Sequence, residues 1–273
     1  MSDSLKWDVC IYKTTQRKCQ TLCDDSSPDI EDDNEVAEDQ DVAISDQVAS
    51  SQPSSLSGEQ LDFNFIAYEE KITIVGASGS GKSYLANAIL KSLRGISVWV
   101  YDFNSEFHSS KAILVHELDE LLELYDGAKR GHYILQPHNN SEETFRRFNA
   151  EAFKRGNVTL IQDEIHNWLT KQRVIKEFNQ VVLSGRPRGI SVIAISSRPA
   201  SLPNNILSNS KHVFAFKLNL ESDVKFLETF LGSDVWMLMP PDKRSKHKDQ
   251  PALPEHTFFY RNMDTDAGRF GKI

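Results

Sequence analysis

From residue 63 onward, short apolar and β-branched runs alternate with segments whose apolar positions recur every three or four residues. The runs are Ile72–Val75, Val98–Asp102, Tyr133–Gln136, Thr159–Asp163, Val192–Ser196 and Val213–Lys217. Nearly continuous runs of this kind suit strands covered on both faces, the situation inside a parallel sheet. Helical spacing appears at Leu85, Ala86, Ile89 and Leu90, and again at Phe145, Phe148 and Ala152, with Ser141 placed as a cap. A third helix is expected from Val174 to Ser184, with Val174, Ile175, Phe178, Val181 and Val182 on its inner stripe and Gly185 as its stop. Phe258–Arg261 and Arg269–Ile273 flank a polar turn at Asp264–Gly268 and predict a closing hairpin. The fold class is therefore α/β: a mainly parallel sheet with helices on both faces, a C-terminal β-hairpin and no internal repeat.

Residues 1–62 break this pattern. They hold fifteen acidic and four basic residues, a net of −11 within a chain of −8, so the remainder carries +3. Between Asp24 and Gln60 the composition is Asp, Glu, Ser and Gln with isolated aliphatics, which cannot bury enough surface to offset the entropy of ordering. The expectation is an acidic, largely disordered tail over 1–62 and one folded domain over 63–273. The tail either aids solubility, docks on a basic partner or competes with nucleic acid for the body's own groove. Leu5–Lys13 reads as a short strand or docking peptide. All three cysteines, Cys10, Cys19 and Cys23, fall in this tail without a paired framework or nearby histidine, which points to a reducing compartment and away from zinc. No signal peptide or membrane-length apolar run is visible, so a soluble, cytoplasmic chain is expected.

The decisive chemistry lies between the first strand and the first helix. Gly76-Ala77-Ser78-Gly79-Ser80-Gly81-Lys82-Ser83 fits the phosphate-loop pattern, and its strand–loop–helix setting is the one that pattern requires. Backbone N–H groups in such a loop turn inward on phosphate oxygens, and the helix N-terminus adds a favourable field for anions. Lys82 is placed for the β- and γ-phosphates and Ser83 for Mg²⁺. This predicts a chain that binds ATP and Mg²⁺.

The run Thr159–Asp163 continues into Glu164, giving adjacent carboxylates at a strand end. Asp163 is assigned to the metal and Glu164 to polarising the attacking water, the second carboxylate that hydrolysis needs. Asp102 and Glu106 follow the second strand at the same carboxyl edge, where Glu106 would position water or Asp102 and Ser105 would cap a helix. Ser196 and Ser197 end the next strand and are placed to sense the γ-phosphate. Arg186 stands just past a helix end, from which it can reach a neighbouring subunit's phosphate; Arg188 and Arg198 are weaker candidates. The alternative for Arg186 is surface solvation or pairing with the helix dipole.

Taken in order, the phosphate loop, Asp163-Glu164, the Gly185-Arg186-x-x-Gly189 segment and the strand closing on Arg198-Pro199 resemble the FtsK/HerA superfamily of DNA-translocating ATPases. Leu202–Leu207 and Phe214–Leu218 extend the resemblance, which spans roughly 71–231. It implies a RecA-like (ASCE) P-loop NTPase core, a hexameric ring with double-stranded DNA in its pore, and ATP held between subunits with Arg186 at that boundary. The family commonly has Gln before the Arg-Pro pair; this chain has Ser197. The bare ATPase body most resembles viral genome-packaging ATPases, which implies capsid or portal-vertex partners and a host-cytoplasmic or virion-associated site. The alternatives are a cellular or plasmid translocase, and a nucleotide-dependent assembly or export factor without a DNA track. Trp168, Lys171 and Arg173 follow the carboxylates where a loop would enter the pore, with Lys171 and Arg173 as the candidate DNA contacts. Lys243–Lys248 is a second basic patch, or an ordinary solvated loop.

Overall fold

The computed structural model describes residues 70–128 and 130–273. The expected tail over 1–62, its cysteines, Leu5–Lys13 and the domain start at 63 lie outside those residues. Fifteen helices and strands follow one another in the described part. They are β1 (Lys71–Val75), α1 (Lys82–Ser92), β2 (Ser97–Tyr101), β3 (Ala112–Val115), α2 (Leu118–Ala128), β4 (His132–Leu135), α3 (Glu142–Arg155) and β5 (Val158–Gln162). Then come α4 (Lys176–Ser184), β6 (Ser191–Ser196), α5 (Asn204–Ser208), β7 (His212–Phe216), α6 (Glu221–Leu231), β8 (Thr257–Asn262) and β9 (Ala267–Lys272).

The strands form one sheet in the order β3-β4-β2-β5-β6-β1-β7-β8-β9. β3 through β7 in that order are parallel, and β8 and β9 close the β7 side as an antiparallel hairpin. Alternation along each strand explains the two-sided core. Val98 and Val100 join Ile72, Ile74 and α1 on one face, whereas Trp99 and Tyr101 join α2, α3 and α4 on the other. A third cluster packs α6 against Val213 and Ala215 of β7. Every residue of β1 after Lys71, and all of β2, β5, β6 and β7, is buried.

Local chemistry sets the helix ends near the site. Ser141 accepts from Thr144 N at 3.2 Å and caps α3, as its type and position predict. α4 ends at Ser184 with Gly185 as its C-cap, as expected, but without the left-handed turn such a stop usually takes. The backbone stays right-handed there and runs into a single 3-10 turn, Arg186–Arg188, closed by Gly189 at φ 66°. Gly185 is needed instead for contact, since a Cβ would lie 2.3 Å from Val181 O. Val174 is exposed rather than on the inner stripe, because α4 begins after Ile175. At the far edge β3 is only four residues long and leaves Ile113 and Leu114 about half exposed. Among the described residues, no helix is long and apolar enough to cross a membrane.

Candidate active site

The phosphate loop leaves the carboxyl end of β1 and is tied down on both sides. Gly76 N donates to Ser196 O (3.3 Å) on β6, and Ala77 N donates to Lys217 O (2.7 Å) beyond β7. Gly76 has φ 152°, and a Cβ there would lie 2.6 Å from Phe216 Cβ and 2.8 Å from Ser80 Oγ. Glycine is therefore required by space as well as by conformation. Gly81, at φ 112°, turns the chain into α1 without a side-chain cap, so the first N–H groups of the helix stay available to an anion. Ser80 Oγ is buried without a partner in the same cradle.

Lys82 is buried and donates to Ala77 O (3.1 Å), bracing the loop from within. Burial pulls its ammonium below the usual lysine range, while Glu164, Asp163 and Glu106 pull the other way. Glu164 Oε1 stands 4.0 Å from Lys82 Nζ. β5 ends at Gln162, so strand alternation no longer separates the two carboxylates. Glu164 takes a left-handed backbone (φ 45°, ψ 47°), uncommon outside glycine and asparagine. There its carboxylate reaches both Lys82 and the backbone N–H of Ser197, the latter at 2.9 Å. His166 Nδ1 lies 3.0 Å from the same carboxylate. Burial pushes Glu164 up, but contact with His166, the Lys82 charge and the Ser197 N–H outweigh it, and its pKa falls below the ordinary value. An ionised carboxylate facing the cradle is the form a general base needs.

Asp163 is the opposite case. It is 1% exposed, and its pKa is pushed up to about 7 by burial first and then by Glu164, Asp102 and Glu106. Asn104 Nδ2 donates to it at 3.3 Å, and its own N–H is held by Tyr101 O. The position is fixed from behind by a reciprocal amide pair between Gln162 and Asn149 of α3 (3.0 and 3.1 Å). A buried carboxylate crowded by three others and compensated by one lysine is short of positive charge. Ser83 Oγ, Asp163 and Glu106 are all hard oxygen donors, the type Mg²⁺ takes together with phosphate oxygens. Among the described residues no group of three or more His, Cys, Asp or Glu is arranged to hold an ion. The donors thus fit a cation that arrives with a phosphate, and Ser83 and Asp163 are the side chains that would hold it.

Asp102 caps no helix. Its buried carboxylate accepts from Glu106 N (3.0 Å), Phe107 N (3.0 Å) and Gln136 Nε2 (2.8 Å), folding the loop after β2. Asn87 of α1 clamps that loop from the other side, donating to Glu106 O and accepting from His108 N at 3.0 Å each. Glu106 accordingly faces Ser83, whose hydroxyl donates to it. Ser78, Gly79, Lys82, Ser83, Glu106 and Glu164 line a hollow of about 200 Å³. A second hollow of about 270 Å³ adjoins it through Gly79 and His256, with Met237, Met239, Leu253 and Pro254 on its walls. Arg244, in the expected basic patch, is 1% exposed and not a surface charge: its guanidinium donates to Gln250 O and shapes that second wall.

The other candidates scatter. Ser196 Oγ accepts from Arg198 N (3.1 Å), and the Ser197 N–H donates to Glu164. Arg186 sits before β6 at the amino edge of the sheet. Burial and then the charge of Arg186 pull down the pKa of Lys71, the first residue of β1. The phosphate loop lies at the other end of that strand, roughly 16 Å away for five residues. Arg186 thus does not belong to its own chain's cradle. Arg188 donates to Lys154 O and stacks on Phe153; Arg198 approaches Asp223 at 3.9 Å. Trp168 is not in a pore loop: it is buried and stacked on Phe145, centroids 5.6 Å apart. Lys171 and Arg173 are on an exposed turn closed by Thr170, with Lys171 over the Phe226 ring and Arg173 paired to Glu142.

A family model described as an AAA domain matches residues 67–197, from before β1 to Ser197. Solved structures of the genome packaging NTPase B204 from Sulfolobus turreted icosahedral virus 2 superpose on the chain. Its complex with ATP-gammaS gives a TM-score of 0.57 at 18% identity, covering 74% of this chain and 96% of that one. Its complex with AMPPCP gives 0.58 at 18%, covering 75% and 97%. The DNA-packaging ATPase B204 from Sulfolobus Turreted Icosahedral Virus gives 0.56 at 18%, covering 75% and 97%. This is a P-loop NTPase fold. No curated protein sequence matches the chain.

Proposed function

We propose that the chain hydrolyses ATP and uses the energy to move double-stranded DNA, as the motor of viral genome packaging. The observation that carries the ATPase part is the carboxylate of Glu164, held by the Ser197 N–H and aimed at Lys82 across a cradle built for phosphates. Glu164 would accept a proton from the attacking water, Lys82 and the loop N–H groups would bind the phosphates, and the apolar second hollow would take the nucleoside. Mg²⁺, held by Ser83 and Asp163, would supply charge neutralisation on the phosphates.

The DNA and packaging parts draw on two supports: the resemblance to the FtsK/HerA superfamily and the fold likeness to B204, which is described as a genome packaging NTPase. Arg186, remote from its own cradle, would act in the site of a second copy, which favours an oligomeric ring, hexameric in that superfamily. Lys171 and Arg173, on an exposed turn at the carboxyl edge, would follow DNA phosphates without reading bases. Capsid or portal-vertex proteins would be the further partners.

The test is ATP turnover with and without duplex DNA over a range of salt, with Lys82→Ala as the inactive control. A rate raised by DNA at low salt and lost at high salt is the expected result. A rate indifferent to DNA throughout would replace the motor with an assembly factor. Absence of turnover in the wild type would remove the ATPase reading as well.

A further inference from the structure

The proposed reaction gives Glu106 no role, yet the fold spends several contacts on placing it. Asp102 accepts its N–H, Asn87 of α1 donates to its carbonyl, and Phe107 just beyond is buried in the α1 core. Asn87 also donates to Ser83 O at 3.0 Å, so one amide spans the backbone of both Ser83 and Glu106. The outcome is a direct hydrogen bond from the Ser83 hydroxyl to Glu106 Oε2. The two residues lie 23 positions apart and come from different strand–loop units, so the contact is tertiary. A cation that takes a lone pair of Ser83 Oγ as a ligand leaves the hydroxyl proton directed at Glu106. It then has the Glu106 carboxylate beside it, within reach of its bound water.

We propose that Glu106 is a positioning residue of the metal subsite: it orients the Ser83 hydroxyl before the cation binds and accepts hydrogen bonds from the cation's water afterwards. The inference rests on the ATP and Mg²⁺ reading of the same site and adds a residue to it. A carboxylate in this place discriminates between the two ligand forms. It repels a bare triphosphate and welcomes one that arrives with a divalent ion. Glu106 is exposed, and glutamine has its shape, so the neutral variant should leave the loop intact.

The experiment titrates the full chain with a fluorescent, slowly hydrolysed ATP analogue, once in Mg²⁺ and once in EDTA. Wild type, Glu106→Gln and Ser83→Ala are compared. Mn²⁺ replaces Mg²⁺ in a parallel series, in which bound ion is counted from the loss of the free-ion EPR signal. Wild type should bind more tightly with metal. Glu106→Gln should bind the metal-free analogue at least as well as wild type, while the gain conferred by metal falls about tenfold, the usual loss for an outer-sphere partner. Mn²⁺ affinity in the ternary complex should fall in step. A full metal-dependent gain in Glu106→Gln overturns the role of Glu106 and leaves the nucleotide site standing. Equal losses with and without metal overturn it too, because the residue would then only hold the loop. If wild type binds the analogue in neither condition, the nucleotide reading fails, and the proposal with it.

Discussion

Replacing Asp163 with asparagine should make the ligand-free protein more stable, and more so at high pH. The side chain is 1% exposed, and its carboxyl titrates at about 7 instead of the ordinary 3.8. The causes are burial and the neighbouring Glu164, Asp102 and Glu106, partly offset by Lys82. Because the folded-state value is raised, the folded chain binds the proton more tightly than the unfolded chain does. Below the unfolded value both forms are protonated and nothing is lost. Between the two values the unfolded form gains stability from ionising, so the fold weakens as pH rises, and above the folded value the penalty is complete. By this linkage the penalty is on the order of 4 kcal/mol at pH 8 and ~1–2 kcal/mol near pH 5. Asparagine carries no such charge and can still meet Asn104. Thermal melts of the full chain in EDTA should therefore show Asp163→Asn melting higher than wild type at pH 8, by roughly 5–10 °C after discounting for relaxation. The gap should narrow at pH 5. On the proposed role of Asp163 as a metal ligand, adding Mg²⁺ with an ATP analogue should raise wild type more than the variant. A variant no more stable than wild type at pH 8, or a gap that widens on acidification, would refute the argument that Asp163 is an uncompensated buried charge. The same charge deficit would make it a ligand, at the expense of stability.

Three further substitutions test other parts of the chain. Glu164→Gln keeps an oxygen for the Ser197 N–H but removes the base, so ATP-analogue affinity should persist while turnover drops by roughly 10²–10⁴. Mixing that variant with Arg186→Ala should restore partial turnover if Arg186 serves a neighbouring copy, and none if each chain completes its own site. Arg244→Ala leaves the carbonyl of Gln250 without its buried donor, and denaturant melts should record a loss of about 2–4 kcal/mol.

Much of the site was legible because its signals are local. The phosphate loop is a contiguous run, and Asp163-Glu164 are adjacent at the end of a strand readable from its own composition. Of the nine strands among the described residues, six stand out as apolar runs in the amino-acid sequence, and the hairpin follows from its polar turn. β3 escaped because a four-residue edge strand with two exposed apolar side chains has neither alternation nor a long run. α2 and α6 do carry regular stripes (Leu118, Leu121, Leu122, Tyr125; Val224, Leu227, Leu231), but neither adjoins a motif, and neither was among the expected elements. What holds the site together is tertiary and leaves no sequence trace. Asn87 lies one helical turn beyond Ser83, a spacing found on every helix, and His256 arrives from the far end of the chain. Trp168 read as a pore residue from its place after the carboxylates, whereas its partner Phe145 lies on another element. Glu164 adopts a left-handed backbone that its residue type does not favour, so only the fold could reveal it.

The order of strands places β6 between the phosphate loop's strand and that of the carboxylates. Its end is spliced to both: Ser196 O takes the Gly76 N–H, and Ser197 N–H goes to Glu164. Four residues on, Ser201 O takes the Lys171 N–H, and Ala200 N–H is pinned to Asp223 of α6. The phosphate cradle, the Glu164 carboxylate and the exposed Lys171 turn consequently share a single stretch of main chain as their common abutment. A shift of an ångström in any one of them must be absorbed within six residues or handed on to the others.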